Sequence, residues 1–141
     1  MNTPTARKPI PVPDADSAPF WAACKEHRLV AQRCLDCSRW RWPPQAFCRH
    51  CHSARFQWED LRPTGRVVSH VTVERAFDKG FAADVPYVVA HVAIDGTDDE
   101  VILVSNLIDF GPLVPHVGLP VEVTFEAAND SVMLPKFRPR R

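Results

Sequence analysis

Apolar and polar residues alternate in short segments through the second half of the chain. Alternation with a period of two is typical of strands with one buried face, and β-branched runs bounded by turn residues also indicate strands. The turn Asp95-Gly96 separates two of these segments, which we expect to form a hairpin. The five segments are 66–73, 86–94, 101–107, 121–126 and 133–137. Short strands with loops of unequal length predict a small antiparallel barrel, with the OB-fold as first candidate and an open sandwich as alternative.

The first half of the chain contains a helical pattern. Ser17 can cap a helix that has Pro19 in its first turn, and Phe20 and Trp21 place two large rings on one side. We expect this helix to end near residues 27–28. The two rings either pack within the chain or contact another subunit, and the sequence leaves both alternatives open.

Strand patterns also surround the cysteine-containing part of the chain. Residues 29–33 predict a strand that leads into the first cysteine, and residues 56–59 resume the alternation. Between them, arginine and tryptophan alternate within 38–47, which predicts a strand with one cationic and one aromatic face. These alternating residues are Arg39, Trp40, Arg41 and Trp42. Pro43-Pro44 then forces an extended turn.

Four of the five cysteines fall into two pairs, with the spacing C-x2-C-x10-C-x2-C. They are Cys34, Cys37, Cys48 and Cys51. A two-residue gap lets two thiolates of one turn reach one ion, and two such turns complete a tetrahedral shell with no open position. Four unrelated reduced cysteines or a disulfide framework would not require this paired spacing. The sequence therefore predicts a zinc ribbon with structural Zn²⁺, and we expect His50 and His52 to be non-ligands.

Composition places the chain among ordinary globular proteins. It has 141 residues, of which 45% are hydrophobic and 24% charged. No apolar run approaches the roughly 18 residues of a membrane span, and the N-terminal residues show no hydrophobic signal core. Cysteines outside disulfides fit a reducing compartment, so we expect a cytoplasmic protein. In that setting we interpret the fifth cysteine, Cys24, as a small buried hydrophobe.

Charge is distributed unevenly although the net charge is zero. Residues 25–66 carry nine Lys or Arg against four Asp or Glu, a local charge of +5. Residues 67–134 carry two against eleven, a local charge of −9, and residues 135–141 add +4. The predicted ribbon is therefore basic and the predicted barrel acidic, which bears on the class of partner.

These patterns divide the chain into five ranges. The proline-rich beginning has too little apolar surface to offset the entropy of ordering. The predicted ranges are a disordered arm over 1–16, a helix over 17–29, the zinc ribbon over 30–60, the barrel over 61–137 and a basic tail over 138–141.

Motifs for independent catalysis are missing from the sequence. There is no G-x-S-x-G elbow, no H-E-x-x-H and no phosphate-binding loop. A zinc shell completed by cysteine has no position for an activated water. The acidic run Asp98-Asp99-Glu100 follows the predicted hairpin turn, where a solvated loop is the simpler interpretation. We therefore predict no catalytic residue in this chain.

The order of these motifs resembles a family that joins an N-terminal helix and a rubredoxin-like zinc ribbon to a C-terminal OB-fold and is described as acyl-CoA-associated. The resemblance covers residues 20–139. It is carried by Phe20-Trp21, Gln32-Arg33-Cys34, Cys37, Trp42-Pro43-Pro44, Cys48, Cys51, Trp58, Gly65-Arg66-Val67, Pro86-Tyr87-Val88, Leu103-Val104-Ser105-Asn106, Gly118-Leu119-Pro120-Val121 and Leu134-Pro135-Lys136-Phe137-Arg138-Pro139. Ser38 departs from the glycine that often follows the second cysteine in these ribbons.

The resemblance implies a non-catalytic accessory subunit. Members are similar to small subunits that assemble with thiolase-superfamily proteins, namely acyl-CoA thiolases, acyltransferases or retro-aldolases, and that stabilise the partner or shape its acyl-CoA site. The partner would supply the catalytic residues. Aromatic and arginine side chains often anchor interfaces, and four tryptophans lie within residues 21–58. The candidate interface or acyl-CoA contacts are Phe20, Trp21, Trp40, Arg41 and Trp42, and we expect the three tryptophans among them to be exposed.

A single-stranded nucleic-acid-binding module is the alternative function. Zinc ribbons and OB-folds serve this role in other proteins, and the Arg39–Trp42 segment has suitable stacking and phosphate-binding chemistry. However, nucleic-acid affinity comes largely from clustered Lys and Arg, and residues 67–134, which make up most of the predicted barrel, carry a local −9. The charge pattern therefore favours the accessory subunit.

Overall fold

Two β structures follow each other along the chain in the computed structural model, which describes residues 7–141. The first is a three-stranded sheet in the order β2-β1-β3, and the second is a closed barrel in the order β4-β5-β6-β8-β7. The elements are α1 (Ala18–Lys25), β1 (Val30–Cys34), β2 (Trp40–Arg41), β3 (Phe56–Asp60), β4 (Thr64–Val73), a 3₁₀ turn (Lys79–Phe81), β5 (Tyr87–Ile94), β6 (Ile102–Leu107), β7 (Pro120–Ala127) and β8 (Met133–Pro139). Within residues 7–141, no helix is long and apolar enough to cross a membrane.

Helix α1 begins directly after Ser17, as the sequence predicts, with proline in its first turn. The Ser17 hydroxyl does not cap the helix; it donates a 2.8 Å hydrogen bond to the carboxylate of Asp14. The helix ends at Lys25, earlier than predicted, and His27 follows in the left-handed region with φ 60°. Phe20 and Cys24 are buried on the face that packs against the rest of the chain.

The three-stranded sheet is small because one of its strands has only two residues. β1 pairs antiparallel with β3 over five residue pairs and with β2 over two. The strand predicted from the alternation of Arg39, Trp40, Arg41 and Trp42 is present but shorter, because β2 contains only Trp40 and Arg41. β2 ends at Arg41, and the next peptide bond but one, Trp42-Pro43, is cis.

The barrel contains the five predicted strands, and its order is that of an OB-fold. β5 and β6 form the predicted hairpin, with six residue pairs from Val88↔Leu107 to Ala93↔Ile102. The barrel is filled by apolar side chains, among which Phe137 and Ile94 are the largest that are fully buried. Packing explains why position 65 is glycine, because a Cβ there would collide with the backbone carbonyl of Ala93 on β5.

A single residue pair closes the barrel between β6 and β8. These strands run parallel and share one residue pair, Leu107↔Phe137, whereas β7 and β8 share seven. Two residues before this pair, the Ser105 hydroxyl donates to the Pro135 carbonyl. The segment 7–13 lies nearby, since Lys8 forms a 2.6 Å ion pair with Asp84. Residues 1–6 of the predicted arm lie outside the described part of the chain.

Candidate metal centre and adjoining cleft

Two turns of the same construction present the four paired cysteines. In the first, the N–H of Ser38 donates to the carbonyl of Cys34 at 3.1 Å; in the second, the N–H of His52 donates to the carbonyl of Cys48 at 2.8 Å. Ser38 and His52 occupy equivalent positions, with φ values of 65° and 63°. This backbone conformation favours glycine, which explains why glycine is common at the position of Ser38 in these ribbons. Ser38 adopts the same conformation without being glycine.

The four sulfurs converge on one point. All four Sγ atoms lie within 4.8 Å of one another, and the Cys34–Cys51 and Cys37–Cys48 sulfurs are each 3.6 Å apart. A tetrahedral zinc ion with Zn–S bonds of about 2.3 Å separates its sulfurs by about 3.8 Å. The donor set and its spacing therefore fit structural zinc without rearrangement.

The four sulfurs affect one another's acidity. The N–H of Cys37 lowers the pKa of the Cys34 thiol to about 6, against a smaller opposing effect of burial. The N–H of Ser53 favours the Cys51 thiolate, yet burial and the neighbouring sulfurs raise the pKa of Cys51 to about 12. Four thiolates in this space repel one another, and a divalent cation among them removes that repulsion.

Arg41 is a structural residue of the ribbon. Its side chain is buried, with 2% of the residue exposed, and its guanidinium lies 4.9 Å from the centre of the Phe56 ring. It donates hydrogen bonds of 3.2–3.5 Å to four backbone carbonyls, those of Gln45, Ala46, Ser53 and Arg55. Arg41 therefore joins the segment before the second cysteine pair to the segment after it.

The expectation that Trp40 is exposed is wrong. Only 9% of Trp40 is exposed, because the Arg33 guanidinium covers its ring at 4.8 Å. Trp40 and Arg41 are adjacent in β2 and both are buried, since both faces of this short strand are covered. Neither of the two predicted faces is therefore open to solvent at these residues.

Phe20, Trp21 and Trp42 form a continuous aromatic wall. Phe20 contacts both tryptophan rings edge-on, with centroids 5.1 Å and 5.0 Å away. Phe20 is buried, whereas Trp21 and Trp42 are half-buried. The wall lines a cleft of about 720 Å³ whose opposite side is formed by β6 and β8 of the barrel. The helix and the ribbon thus meet the barrel across a cavity.

A histidine of the second cysteine turn reaches the barrel. His50 Nδ1 accepts a 2.7 Å hydrogen bond from Arg39, and His50 Nε2 lies 3.6 Å from the Glu100 carboxylate. The neighbouring Asp99 pairs with Arg66 at 2.6 Å. The acidic run predicted as a solvated loop thus contacts both the ribbon and the barrel.

The barrel side of the cleft contains residues that the motif search did not single out as a site. Ser105, Asn106 and Lys136 line it beside the apolar side chains of Val104 and Leu134. They belong to segments that carry the family resemblance, which was the only signal in the sequence. Their proximity depends on the meeting of β6 and β8, which are distant in the chain.

Comparisons with known proteins match both parts of the chain. Residues 21–57 match the family model described as the ChsH2 rubredoxin-like zinc ribbon domain, and residues 58–126 match the ChsH2 C-terminal OB-fold domain. A protein of Thermomonospora curvata named "Probable enoyl-CoA hydratase alpha subunit" is 37% identical over 139 residues. That alignment covers 96% of this chain and 41% of the relative, so the chain spans about two fifths of the relative's length.

Two solved structures share the architecture. The structure named "Ltp2-ChsH2(DUF35) aldolase" contains a chain that is 34% identical, with a TM-score of 0.81; the match covers 92% of this chain and 98% of that one. A DUF35-family protein of unknown function from Sulfolobus solfataricus is 16% identical, with a TM-score of 0.62, and the match covers 89% of this chain and 86% of that one. The second likeness shows the fold alone.

Proposed function

Because the chain belongs to the ChsH2 family of zinc-ribbon and OB-fold proteins, we propose that it is a non-catalytic accessory subunit of a larger enzyme. The proposed partner is a thiolase-superfamily protein that carries out acyl-CoA cleavage or acyl transfer. In this proposal the chain stabilises the partner or shapes its acyl-CoA site.

One observation carries the proposal. This chain aligns with 98% of a single component of a structure named as a pair, Ltp2-ChsH2(DUF35), and that structure is named an aldolase. A chain that corresponds to one whole component of a two-protein assembly is expected to have a partner of its own. The thiolase-superfamily identity of that partner comes from the resemblance of the sequence motifs.

The chemistry of the metal centre supports a structural role. We propose that Cys34, Cys37, Cys48 and Cys51 are the zinc ligands. Four thiolates complete the tetrahedral shell, so the ion has no position for substrate or an activated water. The zinc would stabilise the conformation of the ribbon and of its surface. The partner would carry out the catalysis.

Among the five candidate contact residues, Trp21 and Trp42 are the accessible ones. We propose that these two half-buried rings contact the partner or its acyl-CoA, since exposed aromatic rings are frequent anchors in interfaces. Phe20, Trp40 and Arg41 are buried. In this proposal Phe20, which contacts both accessible rings edge-on, fixes their positions.

The nucleic-acid alternative has less support from the arrangement of the side chains. Stacking on bases requires accessible rings, and Trp40 is covered by Arg33 while Arg41 is bonded to backbone carbonyls. Residues 67–134, which make up most of the barrel, also carry a local charge of −9.

Affinity purification of the tagged chain from its native cell tests the proposed function. We expect a stoichiometric thiolase-like protein by mass spectrometry, and no nuclease-sensitive absorbance at 260 nm. Trp21→Ala should reduce the yield of partner while zinc content and melting temperature are retained. Phe77→Ala, an exposed phenylalanine on a barrel loop, is the control and should leave the yield unchanged. A chain that elutes alone with nucleic acid would contradict the proposal.

A further inference from the structure

The C-terminal half of β4 has one unpaired edge. On one side, β4 pairs with β5 as far as Val73. On the other side, its pairing with β7 ends at Arg66, and Val67 forms the last two backbone hydrogen bonds, both with the loop that precedes β7. Within the described residues 7–141, no backbone group pairs with residues 69–73 on that side. We call this stretch the free edge, since its N–H and C=O groups are available to a further strand.

The side chains of the free edge contribute little to the barrel core. Residues 69–72 are four consecutive exposed residues in a strand, and Val71 is 56% exposed. In the neighbouring strand β5, by contrast, the alternate residues Val88 and Ala90 are buried. The free edge is therefore accessible on both faces as well as along its backbone.

The free edge lacks the features by which proteins protect such strands. Proline, lysine, inward-pointing charges and bulges commonly prevent an unpaired edge from accepting another chain. Residues 67–73 contain no proline and no charged side chain other than histidine, and the β-bulge of β4 lies before the free edge, between Val67 and Ser69. Its residues are therefore suited to pairing with an equally uncharged strand.

An exposed apolar loop adjoins the start of the free edge. Gly118 in this loop donates a 2.8 Å hydrogen bond to the carbonyl of Val67. Val114 and Val117 of the same loop are 76% and 66% exposed. Apolar side chains that are exposed together often mark an interaction surface, and here they lie beside an unpaired strand.

We propose that the free edge pairs antiparallel with the free edge of a second copy of this chain. A two-fold axis passes through the middle of the stretch, so that Val71 of one copy lies opposite Val71 of the other. His70 then lies opposite Thr72, and Ser69 opposite Val73. The pairing joins the two copies into one sheet in the order β5-β4-β4-β5, through an interface made of the same residues on both sides.

The charge distribution favours a second copy as the occupant. Residues 67–134 carry eleven acidic side chains, and none of them lies within 67–73. Two acidic barrels repel each other elsewhere, so the uncharged edge is where they approach with the least repulsion. β-Branched residues facing each other across two strands also stabilise the pairing. Because five residue pairs form a small interface, we expect a dissociation constant in the micromolar range.

Sedimentation velocity of the zinc-loaded full chain, from about 1 to about 500 μM, tests the inference. We expect the average mass to rise from that of a monomer towards that of a dimer. Hydrogen exchange of peptides that cover residues 69–73 should slow at the high concentration, whereas exchange in β5, which is paired on both sides, should not change. A chain that stays monomeric, or a dimer without added protection at 69–73, would overturn the inference.

A charge exchange at position 71 tests the two-fold arrangement. Val71→Lys and Val71→Glu each place two like charges opposite one another, so each variant alone should associate about fivefold or more weakly. An equimolar mixture of the two should recover the association, because lysine then faces glutamate. Val104→Lys, at a 62% exposed valine of β6, is the matched control and should dimerise like the unsubstituted chain. Zinc content and melting temperature show that each variant is folded, and a mixture that associates no better than its components would overturn the two-fold pairing.

The dimer is independent of the proposed function, and one further measurement separates the two. Hydrogen exchange is repeated on the complex with the co-purified thiolase-like protein. If the isolated chain is monomeric and residues 69–73 gain protection only in that complex, the partner occupies the free edge, the dimer inference fails and the proposed function stands. If the isolated chain dimerises through 69–73 and no partner is recovered, the dimer stands and the proposed function fails.

Discussion

The ribbon and the barrel are stabilised by different interactions, although they are adjacent in one chain. The largest fully buried side chains of the barrel are apolar, with Phe137, Ile94 and Leu107 at its centre. In the ribbon, two of the buried side chains are the polar Gln32 and Arg41. Gln32 accepts a 2.9 Å hydrogen bond from the N–H of Gln45, and Arg41 donates to four carbonyls.

This difference shows how a short segment can fold without a large apolar core. In the barrel, burial of apolar surface supplies the driving force. In the ribbon, polar side chains satisfy the backbone of the long loops, and metal binding supplies folding free energy. We therefore expect substitutions to affect the two regions separately. Some should unfold the ribbon and leave the barrel folded, and others should destabilise the barrel and leave the ribbon folded.

Loss of the metal should have the largest effect. Cys34→Ser removes one of four ligands, and apparent zinc-binding energies of structural sites are about 10–16 kcal/mol. We expect zinc content to fall from one equivalent to none, and limited proteolysis to cleave within residues 35–55. Cys24→Ala is the control, because Cys24 is buried in α1 outside the cluster, and should retain zinc. A folded Cys34→Ser chain with one equivalent of zinc would contradict the four-cysteine site.

A substitution that creates a cavity in the core of the barrel should destabilise the barrel and leave the ribbon folded. Phe137 is fully buried, and Phe→Ala substitutions in cores typically cost about 3–5 kcal/mol. Phe137→Ala should lower the urea midpoint of the barrel substantially while the purified chain retains its zinc. Phe77→Ala, at an 88% exposed ring, should change the stability by less than about 0.5 kcal/mol. Simultaneous loss of zinc in Phe137→Ala would show that the two regions fold as one unit.

Removal of the buried guanidinium should weaken the ribbon without removing a ligand. Arg41→Met keeps much of the apolar stem but leaves four carbonyls without their donor, at a cost of about 2–3 kcal/mol. We expect faster release of zinc to a colorimetric chelator and an unchanged urea transition of the barrel. Arg39→Met is the matched control, since Arg39 is exposed and bonds to His50. Equal release rates in the two variants would contradict the structural role of Arg41.

The sequence predicted the parts of this fold that depend on local patterns. The cysteine spacing indicated two turns, and the alternating segments indicated five strands. The exposure predicted from the alternation was wrong at Trp40. Alternation separates a buried face from an exposed one only where one face of the strand is open to solvent, and both Trp40 and Arg41 are buried. Here Arg33 covers Trp40, and Phe56 and the loop carbonyls surround Arg41. These contacts involve residues outside β2, so the period of the pattern does not report them.

The cleft depends on long-range geometry to a greater degree than the cysteine turns and the individual strands do. Ser105 and Lys136 lie on strands separated by about 30 positions in the chain, and they meet because β6 and β8 close the barrel through one residue pair. A strand pattern predicts that each segment exists, but it does not predict where two strands diverge. Val104 in β6 is 62% exposed. This exposure is explained by the strand order of the barrel, which the sequence pattern does not give.

The smallest effect should come from a surface ion pair of the barrel, and it should depend on pH. A hydrogen bond from Arg66, with an added charge attraction, lowers the pKa of Asp99 below its ordinary 3.8, while desolvation opposes the shift. The ion pair therefore stabilises the folded state above the unfolded pKa, and its contribution is lost as pH falls through the lower folded value. Asp99→Asn should lower stability slightly at pH 7, measured by urea unfolding, and the difference from the unsubstituted chain should shrink below about pH 4. Asp98→Asn, at the adjacent exposed carboxylate, is the control. A difference for Asp99→Asn that stays constant at low pH would mean that the loop conformation, rather than the ion pair, stabilises this end of the barrel.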